Sequence, residues 1–247
     1  MRDAFKWILV CSLCALALGW VTAASLAENS AVTGNVSLLR PNGTPRTDTD
    51  TGIVVWLSPV SGQAAPQAVR PDAVRPKIIQ KNKRFETRLL AVEVGSTVDF
   101  PNHDPFFHNV FSLFDGKKFD LGLYEAGATR HVKFNRAGIC YIFCNIHSQM
   151  SAVVVVVETP YFMRMDMAGE FRLADVPPGR YQFNVWAERC SPETLKAASR
   201  QITVDGPRVA LGTIQLRESR DLISVHQNKH GKDYETPVFS SPIYTQP

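Results

Sequence analysis

The chain has 247 residues, of which 45% are hydrophobic and 20% charged, with 15 Gly and 16 Pro. These globular values exclude disorder along the whole chain and collagen-like or low-complexity architecture. The net charge of +4 comes from scattered Lys and Arg rather than the basic stripe of a nucleic-acid binder, and five Cys are too few for a disulfide framework.

Residues 1–27 read as a signal peptide. Arg2 and Lys6 supply a positive start, and Trp7 to Trp20 carries no charge. Ser25-Leu26-Ala27 fits small-x-small cleavage. The apolar run falls short of the roughly 20 residues that span a bilayer. The expectation is export to the periplasm, with no stable membrane insertion after cleavage. Cys140, Cys144 and Cys190 then remain, an odd set in an oxidising compartment, so at least one thiol is unpaired or bound to something.

Beyond the signal, apolar residues alternate in short runs. Strands are expected at 32–39 and 52–57, joined through a turn at 41–45, and residues 58–76 read as a loop. Strand-like runs resume at 77–80, 87–94, 97–100, 130–134, 139–144 and 151–158, the last with five consecutive Val. Further strands fit 161–167, 169–174, 180–187, 200–204 and 211–216. The best helical candidate is Pro192 to Ser199. The pattern is all-β. Residues 218–247 are polar, with Pro237, Pro242 and Pro247, and read as a tail or arm rather than a domain.

Two segments carry chemistry: Phe100 to Val110, containing Asn102, His103, Asp104 and His108, and Gly138 to Met150, which ends in Cys144-x2-His147-x2-Met150. A thiolate and two imidazoles with a weak thioether suit copper cycling between Cu(I) and Cu(II). The short loop brings Cys144, His147 and Met150 together, and His108 on its Pro- and Phe-rich loop is the natural fourth ligand. His103 and His131 read as surface residues, and Asp104 as a residue that hydrogen-bonds nearby backbone.

These two segments resemble the cupredoxins, the small blue copper proteins, over about residues 77–158, and the short ligand loop is most similar to that of amicyanin. The resemblance implies a Greek-key β-sandwich holding one type 1 copper on His108, Cys144, His147 and Met150. It further implies that the Asn109 backbone N–H donates to the Cys144 sulfur and that the Phe107 carbonyl lies near the copper. Cys140 departs from the pattern, because an aromatic residue usually stands there. Cys-x3-Cys-x2-His-x2-Met approaches the binuclear copper A centre, which keeps that alternative open, together with a zinc or storage site. Cys140 itself reads as a buried free thiol, with a disulfide to Cys190 as the other possibility.

The stretch Ala168 to Trp186, with Gly169-Glu170-Phe171 and Pro177-Pro178-Gly179-Arg180-Tyr181, resembles the transthyretin-like, carboxypeptidase-regulatory-like β-sandwich. Such a domain lacks its first strands just upstream, and Val32 to Leu57 can supply them. The expected organisation is a split sandwich of 30–62 with 159–217, a copper domain of 70–158 inserted in it, and a tail of 218–247. A serial arrangement is the alternative. Functionally, a closed four-ligand site suits a one-electron carrier, not an enzyme. The remaining His103, His131, His226 and His230 lack the His-x-His spacing that further copper in an oxidase or nitrite reductase requires. Copper handling without electron transfer is the other class. Redox protein partners such as a c-type cytochrome or a dehydrogenase are expected to dock at a patch of Pro105, Phe106 and Ile146, beside a His147 ring that reaches solvent.

Overall fold

A computed structural model describes residues 29–47, 52–60, 75–113, 116–220 and 227–234. The signal expectation for 1–27 and most of the 58–76 loop lie outside these residues. Among the described residues no helix is long and apolar enough to cross a membrane.

The elements in chain order are β1 (Ser30–Leu39), β2 (Ile53–Pro59), β3 (Gln80–Lys81), β4 (Arg84–Phe85), β5 (Leu89–Glu93), β6 (Thr97–Pro101), β7 (His108–Ser112) and β8 (Phe119–Tyr124). They continue with β9 (Thr129–Lys133), β10 (Gly138–Cys144), β11 (Ser151–Val157), β12 (Phe162–Met165), β13 (Gly169–Val176) and β14 (Gly179–Ala187). The helix α1 (Pro192–Ala198), β15 (Arg200–Val204) and β16 (Arg208–Arg217) complete the set. The described chain is thus nearly all β, as the alternation implies. The helix forms where the sequence places it. Ser191 caps it by accepting from the Thr194 N–H at 3.3 Å, Pro192 stands at its start, and Glu193 in the first turn complements the dipole.

Two β-sandwiches share the chain. In the first, a sheet of order β13-β1-β16 faces one of order β12-β2-β14-β15. β1 runs antiparallel to β13 and parallel to β16, and β2 is antiparallel to both β12 and β14. The first two strands therefore pair with strands that follow the copper-motif segments. The core between the sheets holds Val32, Val36, Ile53, Leu57, Phe171 and Phe183. Each such side chain contributes about 1.5–3 kcal/mol on burial.

The second sandwich has a sheet of order β5-β11-β10-β7-β8, with β5 and β11 parallel. A smaller layer opposes it, formed by β6 with β9 and by the β3–β4 hairpin; Lys77, before the hairpin, bridges Asp99 in β6, and Gln80 in β3 bridges Asn102 just after β6. Phe100, Phe134, Tyr124, Ile142, Cys144 and Met150 lie in its core. A third apolar cluster, Val54 and Trp186 with Leu89, Val153, Val155 and Val157, is the seam between the sandwiches. Polar contacts rim the seam: Arg88 donates to Glu188 at 3.0 Å, and Arg164 donates to the Leu89 carbonyl at 3.1 Å.

The seam explains the five-valine run. Ala152, Val154 and Val156 point into the second core, while Val153, Val155 and Val157 point into the seam. With both faces covered, no polar residue is tolerated on either, and alternation disappears. β2 behaves alike, with Ile53, Val55 and Leu57 in the first core and Val54 in the seam.

β7 and β8 were not expected as strands. β7 is buried at every position, so it carries no period-2 signal. β8 includes Gly122 at φ 67 and pairs with β7 through a bulge between Asn109 and Phe111.

Candidate metal centre

Cys144 ends β10 and His108 begins β7, and the two strands are neighbours at Cys144–Val110. The following loop folds back on itself. The Cys144 N–H donates to the Met150 carbonyl at 3.2 Å, and the Met150 N–H donates to the His147 carbonyl at 3.0 Å. The Asn145 N–H donates to the Asn109 carbonyl at 3.0 Å, which ties the loop to β7. Met150 is fully buried in the same core as Cys144.

The three donors His108, Cys144 and His147 converge, their ligand atoms all within 4.8 Å of one another. The Cys144 Sγ stands 3.7 Å from His108 Nδ1 and 3.7 Å from His147 Nδ1. Metal–sulfur bonds of about 2.3 Å and metal–nitrogen bonds of about 2.0–2.1 Å put S and N roughly 3.6–3.8 Å apart at trigonal to tetrahedral angles. The spacing therefore fits one transition-metal ion among the three atoms.

Asp104 sets the tautomer of His108. The His108 Nε2–H donates to the Asp104 carboxylate at 2.8 Å, which leaves Nδ1 unprotonated and facing the sulfur. Asp104 is itself held by the tip of the β3–β4 hairpin, whose Asn82 and Lys83 both have positive φ, at 55° and 54°. Their two N–H groups donate to the carboxylate at 2.6 and 2.9 Å. Burial opposes ionisation of Asp104, but the hydrogen bonds from Lys83, His108 and Asn82 outweigh it and hold the carboxyl below its usual range. Asn102, fully buried, shapes this loop: its side chain accepts from the Asp104 N–H at 3.0 Å and donates to the Phe106 carbonyl at 2.8 Å.

Both imidazoles favour the neutral, ligating form. Burial lowers His108, and Asp104 only partly opposes it. Burial first, then the neighbouring charges of His108 and Lys83, push His147 down to about 4. Phe106 packs against both rings, at centroid distances of 5.3 and 5.6 Å, and the Lys83 ammonium lies over the Phe106 ring, 5.4 Å from its centroid.

The structure brings His108, Cys144 and His147 together with Met150 in the adjoining core, and it leaves His103 exposed. Cys140 lies free and buried, four residues up β10, about 13 Å from Cys144 at strand rise. It is outside the cluster, and burial pushes its thiol up to about 11. Cys190 is also free and sits in the other sandwich core. Asn109 acts on the loop through its carbonyl and donates its Nδ2 to Asp120 at 2.6 Å.

At the expected docking patch, Pro105 is exposed while Phe106 and Ile146 are half-buried, and the neighbouring Phe107, outside that patch, is exposed as well. One expectation needs correction. The His147 Nε2 is buried and has no hydrogen-bond partner, so whatever exposure His147 keeps is not at that nitrogen. The physical reason is crowding: the rings of Phe106 and His108 pack against the His147 ring at centroid distances of 5.6 and 4.9 Å.

The C-terminal arm was the least legible part of the site. The Tyr234 hydroxyl donates to the Cys144 carbonyl at 2.8 Å, and the Lys229 N–H donates to Asn145 Oδ1 at 3.0 Å. Burial, and then the nearby Cys144 sulfur, raise the Tyr234 hydroxyl's pKa, so it stays a donor. Lys229 Nζ pairs with Asp120 at 2.8 Å. Asp120 is held below the usual carboxylate range because hydrogen bonds from Lys229, Asn109 and Gly122 outweigh the cost of its burial.

Solved structures similar to this chain include two cupredoxins, amicyanin among them, and a copper-containing nitrite reductase. An oxidised mutant of amicyanin is 25% identical, covering 33% of this chain and 81% of its own, with a TM-score of 0.32. The purple cupredoxin of Nitrosopumilus maritimus is 24% identical over 33% of this chain and 98% of its own, with a TM-score of 0.30. A copper-containing nitrite reductase from Thermus scotoductus is 22% identical over 41% of this chain and 25% of its own, with a TM-score of 0.34. No family model matches the sequence, and no curated protein does. At TM-scores this low the functional reading stands on the donor geometry alone.

Proposed function

We propose that this chain is an exported mononuclear copper protein that carries single electrons between redox partners. The observation that carries the reading is the pair of 3.7 Å separations between the Cys144 sulfur and the Nδ1 atoms of His108 and His147. Copper, if held there by His108, Cys144 and His147 with Met150 as a weak further donor, would supply a Cu(I)/Cu(II) couple. The chain's own residues do the rest. Asp104 and the β3–β4 tip fix His108, and the backbone bonds of the loop fix Cys144 and Met150. The β7 and β10 strands keep the donors from relaxing when the charge of the site changes. The Asn109 N–H on the sulfur and the Phe107 carbonyl near the ion belong to this reading, as does a carrier role in preference to catalysis.

Export to the periplasm rests on residues 1–27. A cytochrome or dehydrogenase partner rests on the apolar Pro105, Phe106 and Ile146 at the ligand end, where docking costs little desolvation. The split first sandwich reads as a transthyretin-like scaffold, supported by the Pro177-Pro178-Gly179 turn between β13 and β14 and by the Tyr181 hydroxyl donating to the Pro177 carbonyl at 2.9 Å.

Visible and electron paramagnetic resonance spectra of the copper-loaded protein test the proposal. The expected outcome is an intense thiolate charge-transfer band, one copper per chain and four hyperfine lines, with Cys144→Ser abolishing the band. A seven-line pattern, or a band that survives Cys144→Ser, overturns it.

A further inference from the structure

The C-terminal arm makes contacts that no part of the copper reading requires. Residues 228–234 fold into a compact turn. Asn228 Oδ1 accepts from the N–H groups of His230 and Lys232 at 2.9 and 3.1 Å, and the Gly231 N–H donates to the Asn228 carbonyl at 2.9 Å. Gly231 has φ 69, a conformation that glycine reaches without strain. The turn presents two anchors to the ligand loop. At one end the Tyr234 hydroxyl reaches the carbonyl of Cys144. At the other, Lys229 closes a ring of polar contacts: its N–H to Asn145, its ammonium to Asp120, Asp120 to the Asn109 amide, and the Asn109 carbonyl back to Asn145. The anchors thus fall on Cys144 and on Asn145, the residue that follows it.

We propose that Asn228–Tyr234 is a strap that closes the ligand loop, with Tyr234 a positioning residue for Cys144. Its purpose rests on the copper reading, since a carrier must keep its ion through repeated charge changes. Its existence does not. Without the strap, the turn keeps the backbone hydrogen bonds from the Cys144, Asn145 and Met150 N–H groups. With it, the Cys144 carbonyl and the Asn145 side chain are also tied down, which raises the free energy of local opening. The strap is covalently tethered just beyond β16, so its effective concentration at the loop is of millimolar order and individually modest bonds suffice.

The test is site-resolved alkylation of the metal-free, full-length protein, followed by mass spectrometry, with Cys140 as the internal reference. Loss of one hydrogen bond opens the loop by roughly a factor of two to ten. Tyr234→Phe, which keeps the ring and removes only the hydroxyl, should therefore speed Cys144 alkylation by that factor. Lys229→Ala removes the ammonium's bond to Asp120 but keeps the main-chain N–H to Asn145, so it should act in the same direction by a smaller factor, and the double variant should exceed either. Cys140, deep in β10, should not change. In the copper-loaded protein the same variants should release metal to a chelator faster by similar factors, without moving the absorption maximum. An unchanged Cys144 rate in the double variant overturns the strap. So does a parallel rise at Cys140, which would mean general loosening. A colourless protein with the Cys144-selective rise intact would instead sink the copper reading and leave the strap standing.

Discussion

Asp104 links three parts of the chain: the hairpin tip gives it two N–H donors, Asn102 turns its backbone, and His108 gives it a ring N–H. Removing it leaves His108 free to choose either tautomer and takes the acceptor away from the two N–H groups of the hairpin tip. Outer partners of this type are worth about 10–100-fold in metal affinity. Asp104→Ala is therefore expected to weaken copper binding by about that factor in a competition titration, and unchanged affinity would show that packing alone orients His108. His147 makes a second prediction at this scale. Its folded pKa of about 4 lies below the value of about 6.5 that an unfolded histidine has. Between those values the unfolded chain binds a proton that the folded chain does not. The stability from neutral His147 is therefore present above pH 6.5 and lost as pH falls towards 4. Urea midpoints of the metal-free protein should decline through that window, and a flat profile would show His147 to be hydrated.

β2 and β11 show how an element's two faces divide the labour. The even-numbered Ala152, Val154 and Val156 build the core beneath the ligands, and the odd-numbered valines face the other sandwich. Substitutions should follow that parity. Leu57→Ala removes a side chain from the first core, where truncation costs about 2–5 kcal/mol. It should lower the denaturation midpoint, yet leave the copper band where it is, because Leu57 belongs to the first core whereas Cys144 and Met150 belong to the second. A displaced band would mean that the first sandwich sets the ligand geometry.

At the scale of the molecule, the seam makes each sandwich part of the other's solvent shield. An isolated fragment of residues 75–158 would expose Leu89, Val153, Val155 and Val157, a contiguous apolar face of the kind that drives self-association. Val155→Lys should then act with opposite signs in two settings. In the intact chain it buries an unpaired ammonium and should destabilise the fold. In the fragment it should raise solubility and favour the monomer in analytical ultracentrifugation. Equal effects in both settings would show that the seam is not a packed interface.

The sequence by itself determined the β class, most strand positions, the helix at Pro192 and the three side chains, His108, Cys144 and His147, that the fold brings together. Each of these is written locally, in the period of apolar residues or in the spacing Cys144-x2-His147-x2-Met150. Only the tertiary structure decided which strands pair, because β1 and β16 meet across most of the chain's length and nothing in either strand names the other. The hydrogen bond from His108 to Asp104 is local in sequence, but the β3–β4 tip that holds Asp104 lies more than twenty residues upstream, at a turn with no Asn-Gly signal. The arm is the extreme case. Lys229 and Asp120 are 109 positions apart, and a polar segment without periodicity reads as a loose tail until its partners are in place. Local propensity and spacing act within a few residues, whereas the closure of the site depends on contacts that form only once two sandwiches have been packed.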